Sequence, residues 1–433
     1  MAGCIHPGAH GESGARPQRS LLAVGQASTP AAGLQTRNPR SVTAPDPPPR
    51  LVRFSAAALA ALLAFGILTV SAQGRWAVSF FDAGAFALGA VWAARLVARP
   101  YALRSSLLAA ALAFAAAWPL VQLAAGVSVY RFETWNAALV WAAHLTVFSL
   151  ALQLFGDPSR RRRFLDRLLW FATAIAAVSL VQLFTSGGRI FWLFPTPYKD
   201  LVLGPFVYRN NYAAFVELAI PLALLKALAR PRTALAWSAA AALMAASVVA
   251  GGSRAGTVLV VLETLVVLAL DARGRALGAV WKLAAATAVL LAIAGPGFLW
   301  SRFQQADPLA VRRELVASSL AMFRDRPWMG FGLGAWPTAY PAYATFDLGV
   351  FANHAHCDWA EWAAEGGLPF LAATIALAGA AVLYSARRRC GIGVVAVFAH
   401  ALVDYPLQKP ALAALAFTIL GALAADARRT VKH

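Results

Sequence analysis

Charge is what this 433-residue chain has least of. Asp, Glu, Lys and Arg make up 13% of it, where a soluble domain carries roughly twice that share. Hydrophobic residues reach 60% and the mean hydropathy is +0.62. That excludes a soluble globule with one core and describes an integral membrane protein with many spans. Cysteine is also scarce. Cys4, Cys357 and Cys390 are odd in number, far apart and without a CxxC pair, so they give neither a disulfide framework nor a zinc site. Acidic residues number 19 against 38 Lys and Arg, for a net charge of +19. The basic residues fall in short clusters between apolar runs, with no basic face and no nucleic-acid motif. They encode topology, and nucleic acid is not an expected partner.

What is present is a succession of apolar runs. Residues 1–53 are rich in Pro, Gly, Ser and Arg and read as a disordered cytoplasmic tail. The first apolar run begins near Phe54 and is long enough to span, which argues against a cleavable signal peptide. The membrane domain is expected over residues 54–426, as about twelve helices that include runs near 211–229, 256–271, 276–300, 368–385, 391–405 and 409–426. Loops at 99–104, 160–163, 226–232, 271–275 and 387–389 are the basic set, so they face the cytoplasm with both termini, including a short tail over 427–433. The alternate loops, with Arg189 and Lys199 among their few cations, face outside. Among them, 185–210 and 301–367 are too long for idle connections. The second opens on an expected amphipathic helix. Asp307 is placed to cap it, Pro308 suits its first position, and Val311, Leu315, Leu320 and Phe323 recur at helical spacing. Pro327 and the glycines after it end the helix.

Chemistry-bearing residues cluster at 351–370, FANHAHCDWAEWAAEGGLPF. Of seven histidines, His6, His10 and His433 lie in tails and His144 and His400 in spans. Only His354 and His356 lie in an outside loop. Imidazole suits proton transfer near neutral pH; the plain alternative is a surface pair without a special role. Asp358, Glu361 and Glu365 share one helical face, and Asp358 with Glu361 reads equally as a capping box. Metal binding by the HxH pair is the weaker reading, because no third ligand stands at a standard spacing. The outside arginines Arg209, Arg254, Arg312 and Arg313 either snorkel to headgroups or grip a pyrophosphate, for which guanidinium is the natural partner. Asn210 and Asn211 either cap the span they precede or bond sugar or phosphate. Glu217, inside that span, is a costly carboxylate that either serves function or pairs within the bundle. The tryptophans near span ends, Trp300, Trp328, Trp336, Trp359 and Trp362, read as an interfacial belt.

Four stretches carry a resemblance to a known family: GPFVYRNNYAAFVELAIPLAL, GGSRAGTVLVVL, VRRELVASSLAMFRDRPWMGFGLGAW and HAHCDWAEWAAEGGLPF. With AHALVDYPLQKPALAALAF near the end, they resemble the O-antigen ligase and polymerase superfamily of bacterial membrane glycosyltransferases, over roughly residues 201–424. The last of the four matches the family's histidine motif, with His356 as the motif histidine, His354 accompanying it and Gly367 as the spaced glycine. Cys357 stands where the family usually has Asn, Ser or Gln. Phe370 and Val258 are milder departures.

The resemblance implies an all-α, GT-C-like membrane fold and a lipid-linked donor, a glycan on undecaprenyl pyrophosphate. It implies His356 as general base on an acceptor hydroxyl, and Arg254 and Arg312, then Arg209 and Arg313, as pyrophosphate ligands. Glu365, Asn210, Asn211 and His354 are supporting residues. Inversion by a single displacement follows, with no metal and no cofactor, since guanidinium groups offset the leaving charge. The acceptor is a glycan or a lipid such as lipid A-core. The location is the bacterial inner membrane with the active face periplasmic. A polymerase of the same superfamily uses the same residues on a different acceptor. A transporter or flippase is the alternative from another class, and the sequence lacks the internal repeats and polar mid-membrane helices expected of one.

Overall fold

The computed structural model describes residues 47–427, apart from 73, 102, 197–201, 271–309, 348 and 350. The run at 276–300, the capping pair Asp307 and Pro308, Lys199, the tail over residues 1–46 and residues 428–433 lie outside the described residues.

The described chain is a helical bundle. Five long helices open it: α1 (Pro49–Leu68), α2 (Trp76–Ala98), α3 (Leu107–Ala124), α4 (Arg131–Leu154) and α5 (Pro158–Thr185). Their starts follow from local chemistry. Ser106 caps α3 with its hydroxyl on the N–H of Leu108. Asp157 caps α5, where Pro158 takes the first position and needs no donor. After a two-stranded hairpin, Arg189–Ile190 with Phe194–Pro195, come α6 (Arg209–Glu217), α7 (Ile220–Ala229), α8 (Ala234–Ala250) and α9 (Arg254–Ala269). The expected span at 211–229 is thus broken between α6 and α7, just before Pro221, because the Pro221 ring cannot continue the preceding turn. Then follow α10 (Ala310–Asp325), α11 (Asp358–Arg387), α12 (Ile392–His400) and α13 (Pro410–Ala427).

Eight helical segments among the described residues are long and apolar enough to cross a membrane. The other expected spans correspond to the shorter helices α9, α12 and α13 and to residues 276–300. In the run at 391–405 the helix itself ends at His400, and a turn carries the chain on to Asp404. Helix α13 is the central one, buried from Leu412 to Ala425 and packed on α4, where Gly421 lies against the Phe148 carbonyl. Outward side chains such as Phe80, Val97 and Trp170 are large, apolar and exposed, as a lipid-facing surface requires.

Helix ends sort onto two faces. On one, Arg104 binds Gln153 and the Ala425 carbonyl, and Lys226 pairs with Asp166. The basic loops at 99–104, 160–163 and 226–232 all lie there. On the other, the chain just after α1 meets the approach to α6, where the Ser71 hydroxyl accepts from the Val207 N–H at 3.2 Å.

Helix α10 is amphipathic, but its buried stripe is not the one expected from its apolar spacing. Val311 and Leu320 are exposed, while Glu314, Leu315, Ser318, Ser319 and Met322 face inward. Polar partners select this face. Trp336 Nε1 donates to the Ser319 hydroxyl at 2.9 Å, the Ser318 hydroxyl donates to the Tyr343 carbonyl, and Glu314 accepts from both the N–H and hydroxyl of Thr345.

Helix α11 contains a break at Gly367, with φ 68° and ψ −171°, a region open essentially to glycine alone. A Cβ there would stand 2.5 Å from the Trp328 carbonyl oxygen. The break lets the Leu368 N–H reach the Pro327 carbonyl at 2.7 Å, tying the end of the long loop to the bundle. Gly367→Ala is therefore expected to cost about 2–4 kcal/mol through backbone strain and overlap, read as a lower unfolding midpoint of the purified protein. A neutral effect would contradict the close approach.

Candidate active site

The site is built where α6, α10, α11 and the turn after α12 converge. Its centre is Asp404, a fully buried carboxylate. Its Oδ2 accepts from the Tyr208 hydroxyl at 3.1 Å, from Arg312 Nη2 at 2.8 Å and from Asn210 Nδ2 in a short contact. Its Oδ1 accepts from the Tyr405 N–H at 2.9 Å and faces His356 Nδ1 at 3.5 Å. The backbone joins in. Asp404 N–H donates to the His400 carbonyl, and the Asp404 carbonyl accepts from the Asp358 N–H. Burial alone would raise the Asp404 carboxyl, but His356 and the Arg312 guanidinium outweigh it and hold the group below the usual carboxylate range.

The orientation of His356 follows from these neighbours. Its Nδ1 lies 3.3 Å from the Tyr208 oxygen, whose proton is directed at Asp404. Both groups around Nδ1 are therefore acceptors, so the neutral ring carries its proton on Nδ1 and leaves Nε2 as the basic nitrogen. His356 also holds a left-handed backbone, φ 52°, which is uncommon for a side chain with a Cβ and is a feature of functional sites. Tyr405 packs the ring edge-on at 4.8 Å and stacks on His354 at 4.3 Å.

His354 belongs to a second carboxylate. Its Nδ1 lies 2.9 Å from Glu361 Oε1, and Glu361 Oε2 accepts from the Ala355 N–H. The expected capping box is therefore not the arrangement found. Cys357 is the N-cap of α11 and makes no side-chain capping bond. Asp358 is the first helical residue and turns its Oδ2 to the Leu407 N–H at 2.9 Å. Burial pushes the Cys357 thiol up, so it stays protonated. Glu361 instead fixes the entry to the helix, through the Ala355 N–H.

The other expected residues are distributed around this centre. Asn210 bonds Asp404 directly, and its Oδ1 accepts from the Ser253 hydroxyl at 2.7 Å. Ser253 caps α9, whose first residue is Arg254, so the SRAG segment is tied to Asp404 through one asparagine. Arg209 opens α6 and is half-buried, with its Nη1 lacking a hydrogen-bond partner among the described residues. Asn211 is buried and its Oδ1 likewise has no partner. Arg313 follows Arg312 on α10 but is exposed. Glu365 does not join the cluster. Its Oε1 accepts from the Trp336 N–H at 2.8 Å and its carbonyl from Gln122 Nε2, so it secures the loop after α10. Glu217 pairs with His400, Oε1 to Nδ1 at 2.8 Å, both fully buried.

Asp404, Tyr208 and Tyr405 were not singled out by the sequence reading. An acidic residue at the end of an apolar run, in a chain with 19 such residues, was the signal available for Asp404.

The lowered carboxyl of Asp404 sets a pH dependence. Its stabilisation is fully present above the unfolded carboxylate value of about 4 and is lost as pH falls further, through the lower folded value. Arg312→Gln removes one partner of a largely buried pair and is expected to cost about 3 kcal/mol. Adding Asp404→Asn should recover part of that, with a coupling of about 1–3 kcal/mol by thermal unfolding of the four variants. Additive losses would mean that the pair does not interact.

Residues 239–375 match the family model Wzy_C, described as O-antigen ligase. No curated protein matches the chain. The matched stretch runs from α8 into α11 and contains Arg254, Arg312 and His356, while Tyr208, Asn210 and Asp404 join them from outside it. The match over residues 239–375 supports the likeness of this stretch to the O-antigen ligase and polymerase superfamily.

Proposed function

We propose that the protein is an O-antigen ligase-like glycosyltransferase. It moves a glycan from undecaprenyl pyrophosphate to an acceptor hydroxyl, on lipid A-core or another acceptor, at the extracytoplasmic face of the inner membrane. The observation that carries this reading is the convergence of His356, Arg312 and Asn210 on one buried carboxylate, Asp404, beside the start of the helix that Arg254 opens.

In this mechanism His356 Nε2 takes the proton of the acceptor hydroxyl as its oxygen attacks the anomeric carbon. The bond from that carbon to the pyrophosphate oxygen breaks in the same displacement, so the configuration inverts. The electron pair leaves with the pyrophosphate, whose added charge is met by Arg254 and Arg312, with Arg209 and Arg313 beyond them. Asp404 holds Nδ1–H and stabilises the imidazolium that forms. Guanidinium groups supply the charge compensation, so the mechanism calls for no metal and no cofactor. The sorting of basic loops onto the face away from His356 supports an extracytoplasmic site and cytoplasmic termini.

His356→Ala is expected to lower glycan transfer by about 10²–10⁴-fold, while the protein still inserts in the membrane and its unfolding temperature falls only modestly from loss of a partner of Asp404. The assay is purified protein with a lipid-linked glycan and candidate acceptors, reading the product. Transfer at the unaltered rate by a stably inserted His356→Ala protein rules the base assignment out.

A further inference from the structure

The face opposite His356 carries a separate feature. Where α1 and α5 begin, they part around a cavity of about 420 Å³. Arg53, Arg160, Arg163 and Arg167 line it, and no acidic side chain does. Of the two carboxylates on α5 and its cap neither lines the cavity, although Asp157, at the start of the helix, feels the charges of Arg160 and Arg163. Asp157 Oδ1 accepts from the N–H groups of Ser159 and Arg160, and Asp166 pairs with Lys226. Arg160 is braced by its Nε on the Leu154 carbonyl at 2.9 Å. Arg53, Arg163 and Arg167 are exposed and make no ion pair among the described residues.

The cavity does not end at the arginines. Ala60, Phe164 and Arg167 also border a second space of about 140 Å³, which continues along Leu63, Ile67 and Leu415 between the same two spans. Apart from Arg167, its walls are apolar. A basic mouth thus opens into an apolar slot. Four guanidinium groups in one cavity repel each other unless an anion sits among them, and a basic pocket between spans on the face with the basic loops fits a lipid headgroup.

We propose that the groove between α1 and α5 is a binding site for an anionic bilayer phospholipid, with its phosphate among Arg53, Arg160, Arg163 and Arg167 and one acyl chain beside Ala60, Leu63 and Ile67. The glycan carrier is not the occupant. Helix α1 has 20 residues, or about 30 Å of rise, and that length separates Arg53 from the end at which Ser71 meets Val207. A carrier with its pyrophosphate beside His356 has its charge in the other leaflet. The bound lipid joins two helices that otherwise leave a gap.

The experiment is native mass spectrometry of the full chain, delipidated in mild detergent and offered phosphatidylglycerol, phosphatidylcholine and undecaprenyl phosphate in equal amounts. One phosphatidylglycerol is expected to be retained, favoured about tenfold over phosphatidylcholine and also over undecaprenyl phosphate. Arg163→Gln with Arg167→Gln should lose that preference, while Arg162→Gln, a charge change outside the groove, should keep it. Ala60→Trp fills the slot, leaves every arginine in place, and should also lose retention. Each variant is checked for an unchanged elution profile and unfolding midpoint. Retention by Ala60→Trp equal to that of the unaltered chain, equal losses from Arg162→Gln and the paired variant, or preference for undecaprenyl phosphate would each overturn the proposal. Glycan transfer is not the readout, so the outcome is independent of the assignment of His356.

Discussion

A single buried carboxylate organises the functional end of this protein. An ionised group with no solvent contact is costly, and Asp404 survives burial because it receives bonds from Tyr208, Asn210, Arg312 and Tyr405 and faces His356. The donors come from α6, α10, the loop before α11 and the turn after α12. Each is therefore held in place by the requirement to satisfy Asp404. The same requirement gives the histidine its tautomer and leaves Nε2 as the basic nitrogen. A site fixed in this way is preorganised, which is where the displacement proposed above would gain most.

The surrounding structure makes that convergence possible. The turn that carries Asp404 is anchored from below by the His400–Glu217 pair between α12 and α6. The start of α11 is anchored by Glu361 and Asp358, which spend their oxygens on backbone N–H groups and on His354. Gly367 breaks α11 where the loop after α10 lies against it, and Glu365 with Gln122 holds that loop through bonds to the backbone around 329–336. Carboxylates that look alike in sequence thus divide the work. Asp404 serves the histidine, and Glu365 serves the loop.

Much of the fold was legible because membrane helices are marked by length and composition. The ends of α9 and α13 fall within about two residues of the runs at 256–271 and 409–426 read from sequence, and α10 ends before Pro327 as expected. The errors have physical causes. In the run at 391–405 the helix ends at His400, and its apolar residues carry no mark of the turn that follows. The stripe of α10 keeps Leu315 but not Val311 or Leu320, because Glu314, Ser318 and Ser319 meet polar partners on its buried face. The site was half legible. His356 and Asn210 stand out as polar residues in an outside loop and at a span mouth, and Arg312 as a cation on the loop helix, whereas Tyr208 and Asp404 look like ordinary interfacial residues until their partners are known.

By itself the sequence determined the membrane class, the placement of most helices and the clustering of basic residues in alternate loops, because these depend on local composition and on distances of a few residues. Only the tertiary structure decided which side chains act together. Asn210 and Asp404 are 194 positions apart, and in a bundle whose helices are apolar on every side no periodicity says which will be neighbours. The partner of a buried charge is chosen by packing, so the identity of the central residue became readable only once the helices were assembled.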